Sequence, residues 1–206
     1  MRKAFALAIA GISLIGAFAA APNAAASAPS PGAPAPVVTT FDTTAPVPEW
    51  AHSLSDKAGT TRATAGIVAV WDKNFLNKRD NTKCLDDSTG NGLRVHTCNT
   101  PSFNNGFQKF TAVMYDDSYI NFQNAATGEC LDGSTAHGVR THTCSSASYV
   151  NGYQRWFVND QMDVYGWVSY RNVATGKCLD YSPAHGLRLH DCSRAALENG
   201  YQGWNF

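Results

Sequence analysis

Short segments in which hydrophobic and polar residues alternate dominate the chain after Gly66. The first, at 67–71 (IVAVW), is a compact apolar run suited to a buried strand. Further segments stand at 75–77 (FLN), 120–123 (INFQ) and 168–171 (VSYR), and turn residues follow each of them. Short strands bounded by Gly and Asn turns predict an all-β fold. No helical periodicity of useful length occurs in 66–206.

One stretch of this region occurs three times. The copies begin at Cys84, Cys130 and Cys178, which are 46 and 48 residues apart, and they align without a gap. The middle copy ends at Trp156 and reads CLDGSTAHGVRTHTCSSASYVNGYQRW. Eleven of its positions are identical in all three copies. A fixed period of this size marks a repeat architecture, in which each unit buries its apolar face against its neighbours.

Each repeat contains about four short strands separated by turns. Three such units are too few for an ordinary propeller, whereas three four-stranded units that close on one another form a β-trefoil. We therefore predict a β-trefoil of three pseudo-symmetric repeats over 66–206, with the repeats at about 72–112, 118–158 and 166–206. The run at 67–71 is expected to pair with the C-terminal strand and so to close the barrel.

The N-terminus has the layout of a secretory signal peptide. Arg2 and Lys3 precede an apolar stretch at 4–21, and small residues follow at 24–26. We predict a signal peptide at 1–26 and a secreted, extracellular protein. An uncleaved anchor is the alternative, but the stretch is short and Ala-rich for a membrane span. We therefore expect no membrane span in the mature chain.

A linker is predicted between the signal peptide and the repeats. Residues 27–48 are rich in Ala, Pro, Ser and Thr, a composition typical of a disordered, extended spacer. Residues 49–65 either continue this linker or form a short helix packed on the domain. We assign 27–65 as a whole to the linker. Cleavage after residue 26 would remove two basic residues and no acidic ones, leaving a formal net charge of −2. This balance argues against nucleic acid as a partner, since that would require a basic patch.

All six cysteines fall inside the repeats. In an exported protein an even number of cysteines indicates a disulfide framework. The repeat predicts one bridge in each unit: Cys84–Cys98, Cys130–Cys144 and Cys178–Cys192. A His-x-Cys pattern also recurs, but zinc sites usually contain closely spaced cysteine pairs, which are lacking here. We expect neither a metal nor a cofactor.

The predicted disulfide suggests how two strands face each other. If Cys130 lies opposite Cys144, then Asp132 lies opposite His142 and Ser134 opposite Arg140, with five residues in the turn. Side chains two apart share a face, so these polar residues lie together beside the disulfide. The other repeats place the same types together: Asp86, Ser88, Arg94 and His96, and Asp180, Ser182, Arg188 and His190. The apolar residues between them point to the core, namely Leu93, Val95, Val139, Leu187 and Leu189.

This polar face has two interpretations. It could be a cross-strand ion pair that steadies the hairpin, although exposed pairs contribute only about 0–1 kcal/mol. It could instead be a small recognition site, in which a carboxylate accepts two hydroxyls beside a cation and a ring. We favour recognition, because the same set occurs three times beside a rigid cross-link.

The pattern C-L-D, then G-x-R-x-H-x-C, then Q-x-W or Q-x-F resembles the ricin B-type (QxW) β-trefoil lectins over about 75–206. The resemblance implies up to three carbohydrate sites, one in each repeat. It implies that the aspartates accept sugar hydroxyls and that the histidines replace the family's aromatic platform, so each site is expected to be weak. The arginines stand where galactose-binding relatives often have Gln. The sites so implied contain Asp86, Arg94 and His96, then Asp132, Arg140 and His142, then Asp180, Arg188 and His190.

The residue before Q-x-W supplies a further polar contact in many members of the family. Tyr153 and Tyr201 occupy this position, whereas Phe107 lacks the hydroxyl, which makes the first site the weakest candidate. The resemblance assigns structural roles to the remaining motif residues, which are Gln108, Gln154, Gln202, Phe110, Trp156 and Trp204.

These observations predict a secreted, monomeric carbohydrate-binding module. The alternative is a protein-binding trefoil, such as an inhibitor or adhesion module, because a fold does not fix a function. We do not expect an enzyme. Asp132, Ser134 and His142 are the residue types of a catalytic triad, but the chain has no nucleophile-elbow motif around the serine.

Overall fold

The computed structural model describes residues 67–159 and 166–205, and these form an all-β fold. The predicted signal peptide (1–26) and linker (27–65) lie outside the described residues. The strands are β1 (Ile67–Lys73), β2 (Lys83–Ser88), β3 (Gly92–Thr97), β4 (Phe110–Tyr115), β5 (Ile120–Asn124), β6 (Glu129–Ser134), β7 (Gly138–Thr143), β8 (Trp156–Val158), β9 (Trp167–Val168), β10 (Tyr170–Asn172), β11 (Cys178–Ser182), β12 (Gly186–His190) and β13 (Trp204–Asn205). The helices are α1 (Thr100–Asn104), α2 (Ser146–Val150) and α3 (Arg194–Glu198).

The strands divide into a ring and three hairpins, as expected for a β-trefoil. The hairpins are β2–β3, β6–β7 and β11–β12, one in each repeat. In the ring, β4 pairs with β1 and β5, and β8 pairs with β5 and β10. Strand β13 pairs with β9, and a bridge from Trp204 to Asn77 joins it to the segment after β1. Every pairing in the ring is antiparallel.

The contact that closes the ring differs from the prediction. The run at 67–71 lies in β1 and pairs with β4, so its predicted pairing with the C-terminal strand is wrong. The C-terminal strand instead meets residues slightly further along. The amide of Asn205 donates to the carbonyl of Leu76 (3.1 Å), and the amide of Lys78 donates to that of Gly203 (2.8 Å). A strand in a closed ring needs two neighbours. Here β1 pairs with β4, whereas the segment at 76–78, which follows β1, pairs with the C-terminal strand.

Large aromatic side chains fill the core. Phe75 lies at its centre, with ring centroids 5.3 Å from Phe110, 4.8 Å from Phe122 and 5.3 Å from Tyr170, all edge to face. Such pairs each add about 0.5–1.5 kcal/mol beyond area burial. The Gln and the Trp or Phe of all three Q-x-W motifs, to which the resemblance assigns structural roles, are buried. The predicted inward-facing hairpin residues, from Leu93 to Leu189, also pack against this core.

The three short helices were not predicted. Each has only five residues, which is too short to show a 3.6-residue period. The sequence signal for each helix is the N-terminal capping residue, which directly follows the second cysteine of the repeat. The side chains of Asn99, Ser145 and Ser193 accept from backbone amides in the first turn of α1, α2 and α3. Among residues 67–159 and 166–205, no helix has the length and apolar character needed to cross a membrane.

A glycine after each helix allows the next repeat to approach closely. Gly106, Gly152 and Gly200 have φ between 83° and 86°, a region that favours glycine. A Cβ at Gly200 would lie 2.5 Å from the backbone nitrogen of Arg79. A Cβ at Gly106 would lie 2.8 Å from the backbone nitrogen of Ala126, and a Cβ at Gly152 would lie 2.9 Å from that of Ala174. The recurring Asn-Gly of the repeat therefore marks the packing of one repeat against the loop of another.

Lys73 is a basic residue within the core that sequence reasoning missed. Its side chain is fully buried, and its Nζ donates to the hydroxyl of Tyr170 and to the carbonyl of Asn205. The Nζ also lies 4.4 Å from the ring centroid of Phe75. It forms no ion pair with the described residues, and burial lowers the pKa of Lys73 well below its ordinary value.

We expect the Lys73→Met substitution to change how stability depends on pH. Because the pKa of Lys73 is depressed only in the folded state, the unfolded chain binds an extra proton between that pKa and the ordinary value of about 10.4. Lys73 therefore makes the wild type more stable as the pH rises through this window. Urea unfolding at pH 7 and 9.5 should show this rise weakened in Lys73→Met but retained in the surface control Lys177→Met. Equal pH dependence in all three proteins would contradict the assignment.

Candidate functional site

Each hairpin carries the polar face with a register shifted by two residues from the prediction. Cys130 lies opposite His142, Asp132 opposite Arg140, and Ser134 opposite Gly138. The other two hairpins repeat this register. The predicted pairing of aspartate with histidine and of serine with arginine is therefore wrong. A shift of two keeps every side chain on its face, so the polar residues still lie together.

The register shifts because the disulfide is diagonal. Cys144 lies beyond the end of β7, so Cys130 reaches past its directly opposed residue to bond with it, at a Cα–Cα distance of 5.0 Å. The turn is correspondingly tighter and is closed by Gly138, with φ of 69°. All three predicted disulfides form, and each spans 14 residues. Their sulfurs are therefore not available as zinc thiolates.

An aspartate at the centre of each hairpin is buried and bonded to arginine. Asp86, Asp132 and Asp180 are only 2–3% exposed. Their Oδ1 atoms accept from the Nε of the opposing arginine, at 3.0 Å from Arg94, 3.4 Å from Arg140 and 2.8 Å from Arg188. The arginines remain about one third exposed, so the energetic contribution of each pair is modest. The geometric consequence matters more, since the arginine fixes one carboxylate oxygen.

The glutamine of the Q-x-W motif fixes the other oxygen in two repeats. Gln202 Nε2 donates to Asp180 Oδ2 (3.3 Å) and to the carbonyl of Asp191 (2.8 Å). Its Oε1 accepts the backbone amide of Ser193, the capping residue of α3 (3.1 Å). The first repeat has the same arrangement. In the second repeat Gln154 instead donates to the carbonyls of His142 and Thr143.

The histidines and tyrosines lie at the surface of the hairpins. His96, His142 and His190 are exposed, and their side chains form no hydrogen bond or ion pair with the described residues. Tyr153 is 41% exposed, and Tyr201 is partly buried. The backbone carbonyl of each tyrosine accepts the amide of the residue after the aspartate, at 2.9 Å from Gly133 and 2.8 Å from Tyr181. These bonds hold the end of each repeat against the strand that carries the aspartate.

The third repeat has a cavity at this position. Its volume is about 500 Å³, and its lining includes Asp180, Arg188, His190 and Tyr201, all four predicted residues of that site. A second cavity of about 350 Å³ lies where the first two hairpins meet. That cavity includes Arg140 but no other predicted site residue. The structure therefore brings the predicted set into one cavity in the third repeat.

Sequence reasoning missed one residue of the third cavity. Arg79 belongs to the loop before β2, yet its guanidinium carbon lies 4.4 Å from the ring centroid of Tyr201. The two residues are 122 positions apart, so spacing within a repeat could not reveal the contact. The sequence does contain one signal of this residue. The matching positions of the other two repeats hold Ala126 and Ala174, so only the first repeat has an arginine there.

A closed ring that carries three disulfide-bonded hairpins, each with a buried aspartate and an exposed histidine, defines a β-trefoil with a repeated candidate recognition face. The family model of the ricin-type beta-trefoil lectin domain matches residues 73–204. This match covers more than half of the chain, so the protein belongs to that family.

Solved structures support the same fold. The chain is 18% identical to a cytolethal distending toxin chain from Actinobacillus actinomycetemcomitans, with 66% of this chain and 89% of that chain covered and a TM-score of 0.51. It is 20% identical to the hemolytic lectin CEL-III, covering 70% and 31%, with a TM-score of 0.50. A GlcNAcα1-4Gal-releasing endo-β-galactosidase from Clostridium perfringens matches at 16% identity, covering 65% and 31%, with a TM-score of 0.51.

At these identities the likeness shows the fold alone. The last two matches are also confined to about a third of those longer chains. A search of curated proteins finds no significant match.

We expect the Gln202→Ala substitution to lower the free energy of unfolding by about 2 kcal/mol, because the fully buried amide loses its hydrogen bonds to Asp180, Asp191 and Ser193 and leaves a cavity. Urea unfolding monitored by circular dichroism would measure the loss. Gln123→Ala is the matched control, since Gln123 is only partly buried and its side chain donates to the carbonyl of Gly128. A Gln202 variant no less stable than the Gln123 variant would show that this network does not support the fold.

Proposed function

We propose that the protein is a secreted, monomeric carbohydrate-binding module in which each repeat contributes one weak sugar site. The observation that carries this proposal is the oriented Asp180 carboxylate, which lines a cavity together with His190 and Tyr201. In this proposal residues 1–26 direct export, and residues 27–65 separate the module from the signal peptide. Membership of the ricin-type lectin family supports sugar as the ligand class.

The carboxylate is suited to accept sugar hydroxyls. Each oxygen of Asp180 accepts one hydrogen bond from the protein, Oδ1 from Arg188 and Oδ2 from Gln202. A carboxylate offers about four lone-pair positions, so each oxygen retains one acceptor position. A pair of neighbouring hydroxyls on one ring matches two fixed acceptors.

His190 and Tyr201 supply the remaining contacts. The exposed imidazole presents a flat face for the C–H groups of a sugar ring, and the phenol supplies a hydroxyl. An imidazole has less area than an indole, so each site is weak by itself. Asp132, Arg140, His142 and Tyr153 form the corresponding set in the second repeat, and Asp86, Arg94 and His96 that in the first, where Phe107 offers no hydroxyl.

The hairpin geometry supports binding rather than catalysis. A serine nucleophile requires a histidine that accepts its proton and an acid that orients that histidine. Here Asp132 pairs with Arg140, and the Ser134 hydroxyl oxygen accepts the amide of His137 (3.0 Å). His142 has no hydrogen bond to either residue. The alternative of a protein-binding trefoil is tested by the same variants that test sugar binding.

We expect the substitution of Asp180 by Asn to weaken glycan binding at its site by about tenfold, because a charge-assisted hydrogen bond is lost. A glycan array and pull-down with insoluble polysaccharides would identify the ligand. The triple variant in which Asp86, Asp132 and Asp180 are each replaced by Asn should no longer be retained on that polysaccharide. Asp116→Asn, in the exposed turn after β4, removes the same charge outside the hairpins and should bind normally. If all variants are retained like the wild type, the aspartates are not the sugar contacts, and a protein ligand becomes the better explanation.

We also expect the binding to be multivalent. Linked engagement of several weak sites strengthens binding by about 10²–10⁴-fold when the geometry permits. Wild-type protein should therefore bind a densely glycosylated surface far more tightly than a sparse one, as measured by surface plasmon resonance. The Asp86→Asn, Asp132→Asn double variant, which retains only the third site, should bind both surfaces alike. A wild type that does not distinguish the surfaces would show that its sites act singly.

A further inference from the structure

A second guanidinium enters the third-repeat cavity from outside that repeat. Arg79 lines the cavity with Asp180, Arg188, His185 and Tyr201. Its guanidinium carbon lies 4.4 Å from the centroid of the Tyr201 ring, a distance typical of a cation–π contact, which favours this position of the cation.

The backbone that carries Arg79 is firmly positioned. The Arg79 amide donates to the carbonyl of Gly200 (3.3 Å) and to Oδ1 of Asn77 (3.1 Å). The close approach at Gly200 leaves no space for a Cβ between the two segments. At the matching places in the other repeats stand Ala126 and Ala174, which carry no charge. The extra cation is therefore specific to the third site.

The charge of Arg79 is available to a ligand. The Arg79 side chain is exposed and forms no ion pair within residues 67–159 and 166–205. Its guanidinium donates only a long hydrogen bond, to the carbonyl of Asn199 (3.4 Å). Arg188, by contrast, is bonded to Asp180. Asp180 is the acidic residue of the cavity lining, and that pairing balances its charge. The surplus charge of the cavity lining is therefore positive and comes from Arg79.

We propose that the third site binds a sugar with an anionic substituent, such as a carboxylate, sulfate or phosphate, and that Arg79 recognises the anion while Asp180 holds the ring hydroxyls. This proposal rests on the sugar-binding function proposed above and concerns the specificity of one site. The cavity volume of about 500 Å³ falls within the range of ligand sites. The planar guanidinium matches an oxyanion in geometry as well as in charge.

The test compares neutral and anionic forms of the same sugars. Galactose, glucose and mannose would each be titrated as the neutral sugar, the uronic acid, the 6-sulfate and the 6-phosphate, with binding followed by two-dimensional NMR of the full chain. We expect at least one anionic form to bind about fivefold more tightly than its neutral counterpart at low salt, and the preference to shrink at high salt. The three anionic forms distinguish a carboxylate from a sulfate or phosphate.

Two variants assign the preference to Arg79. Arg79→Ala installs the residue type that the other repeats carry, and it should lower the affinity for the anionic form more than that for its neutral counterpart, so that the preference disappears. Ala174→Arg is the reciprocal change and should create a second anion-preferring site beside Tyr153. Thermal unfolding would confirm that both variants fold.

Each outcome separates this proposal from the broader one. If neutral sugars bind but no anionic form is preferred, or if the preference survives in Arg79→Ala, the anionic specificity is wrong and the sugar-binding function remains. If neither neutral nor anionic sugars bind the wild type, both proposals fail. Equal loss of neutral and anionic binding in Arg79→Ala would make Arg79 a structural residue and would also overturn the proposal.

Discussion

The buried glutamine side chain is the contact on which each repeat depends. Gln202 bonds the capped start of α3, the end of the second hairpin strand and the carboxylate of Asp180 through one planar amide. Because the amide is buried, each of its bonds is costly to lose. In the first and third repeats the glutamine therefore couples the fold of the repeat to the orientation of the carboxylate. The Trp204 indole adds a second tie, since it donates to the carbonyl of Leu179, next to that aspartate (2.9 Å).

The three sites share the buried glutamine and the arginine-bonded aspartate, although Gln154 does not bond Asp132, and they differ further at their edges. Phe107 replaces tyrosine in the first repeat, and Asp87, which follows the aspartate there, is buried and accepts the hydroxyl of Thr127 (2.6 Å). Burial raises the pKa of Asp87. Gly133 and Tyr181 occupy the matching position in the other repeats. The aspartate, arginine and glutamine are thus identical in the three repeats, while the residues around them differ from repeat to repeat.

The internal repeat predicted the trefoil, the disulfides and the polar face, because each depends on features that recur at a fixed spacing. The register could not be predicted. The alternation of faces has a period of two, so a two-residue shift leaves the pattern unchanged, and the diagonal reach of Cys144 was not visible in it. The helices were too short to show a period. Lys73 and Arg79 were missed because their surroundings come from residues 97 and 122 positions away, namely Tyr170 and Tyr201.

The close approach of Arg79 to Gly200 has a consequence for how this fold can acquire new ligands. The glycine near the end of each repeat contacts a loop that belongs to a different repeat, and in the third repeat that loop also contributes Arg79 to the cavity. A change in the bordering loop alters one site and leaves the hairpin, its disulfide and its buried carboxylate untouched. The third site is in addition assembled across the seam where the ring closes. A ligand that contacts both Arg79 and the third hairpin would bind the closed ring more tightly than an opened one, and it would so stabilise the seam by mass action.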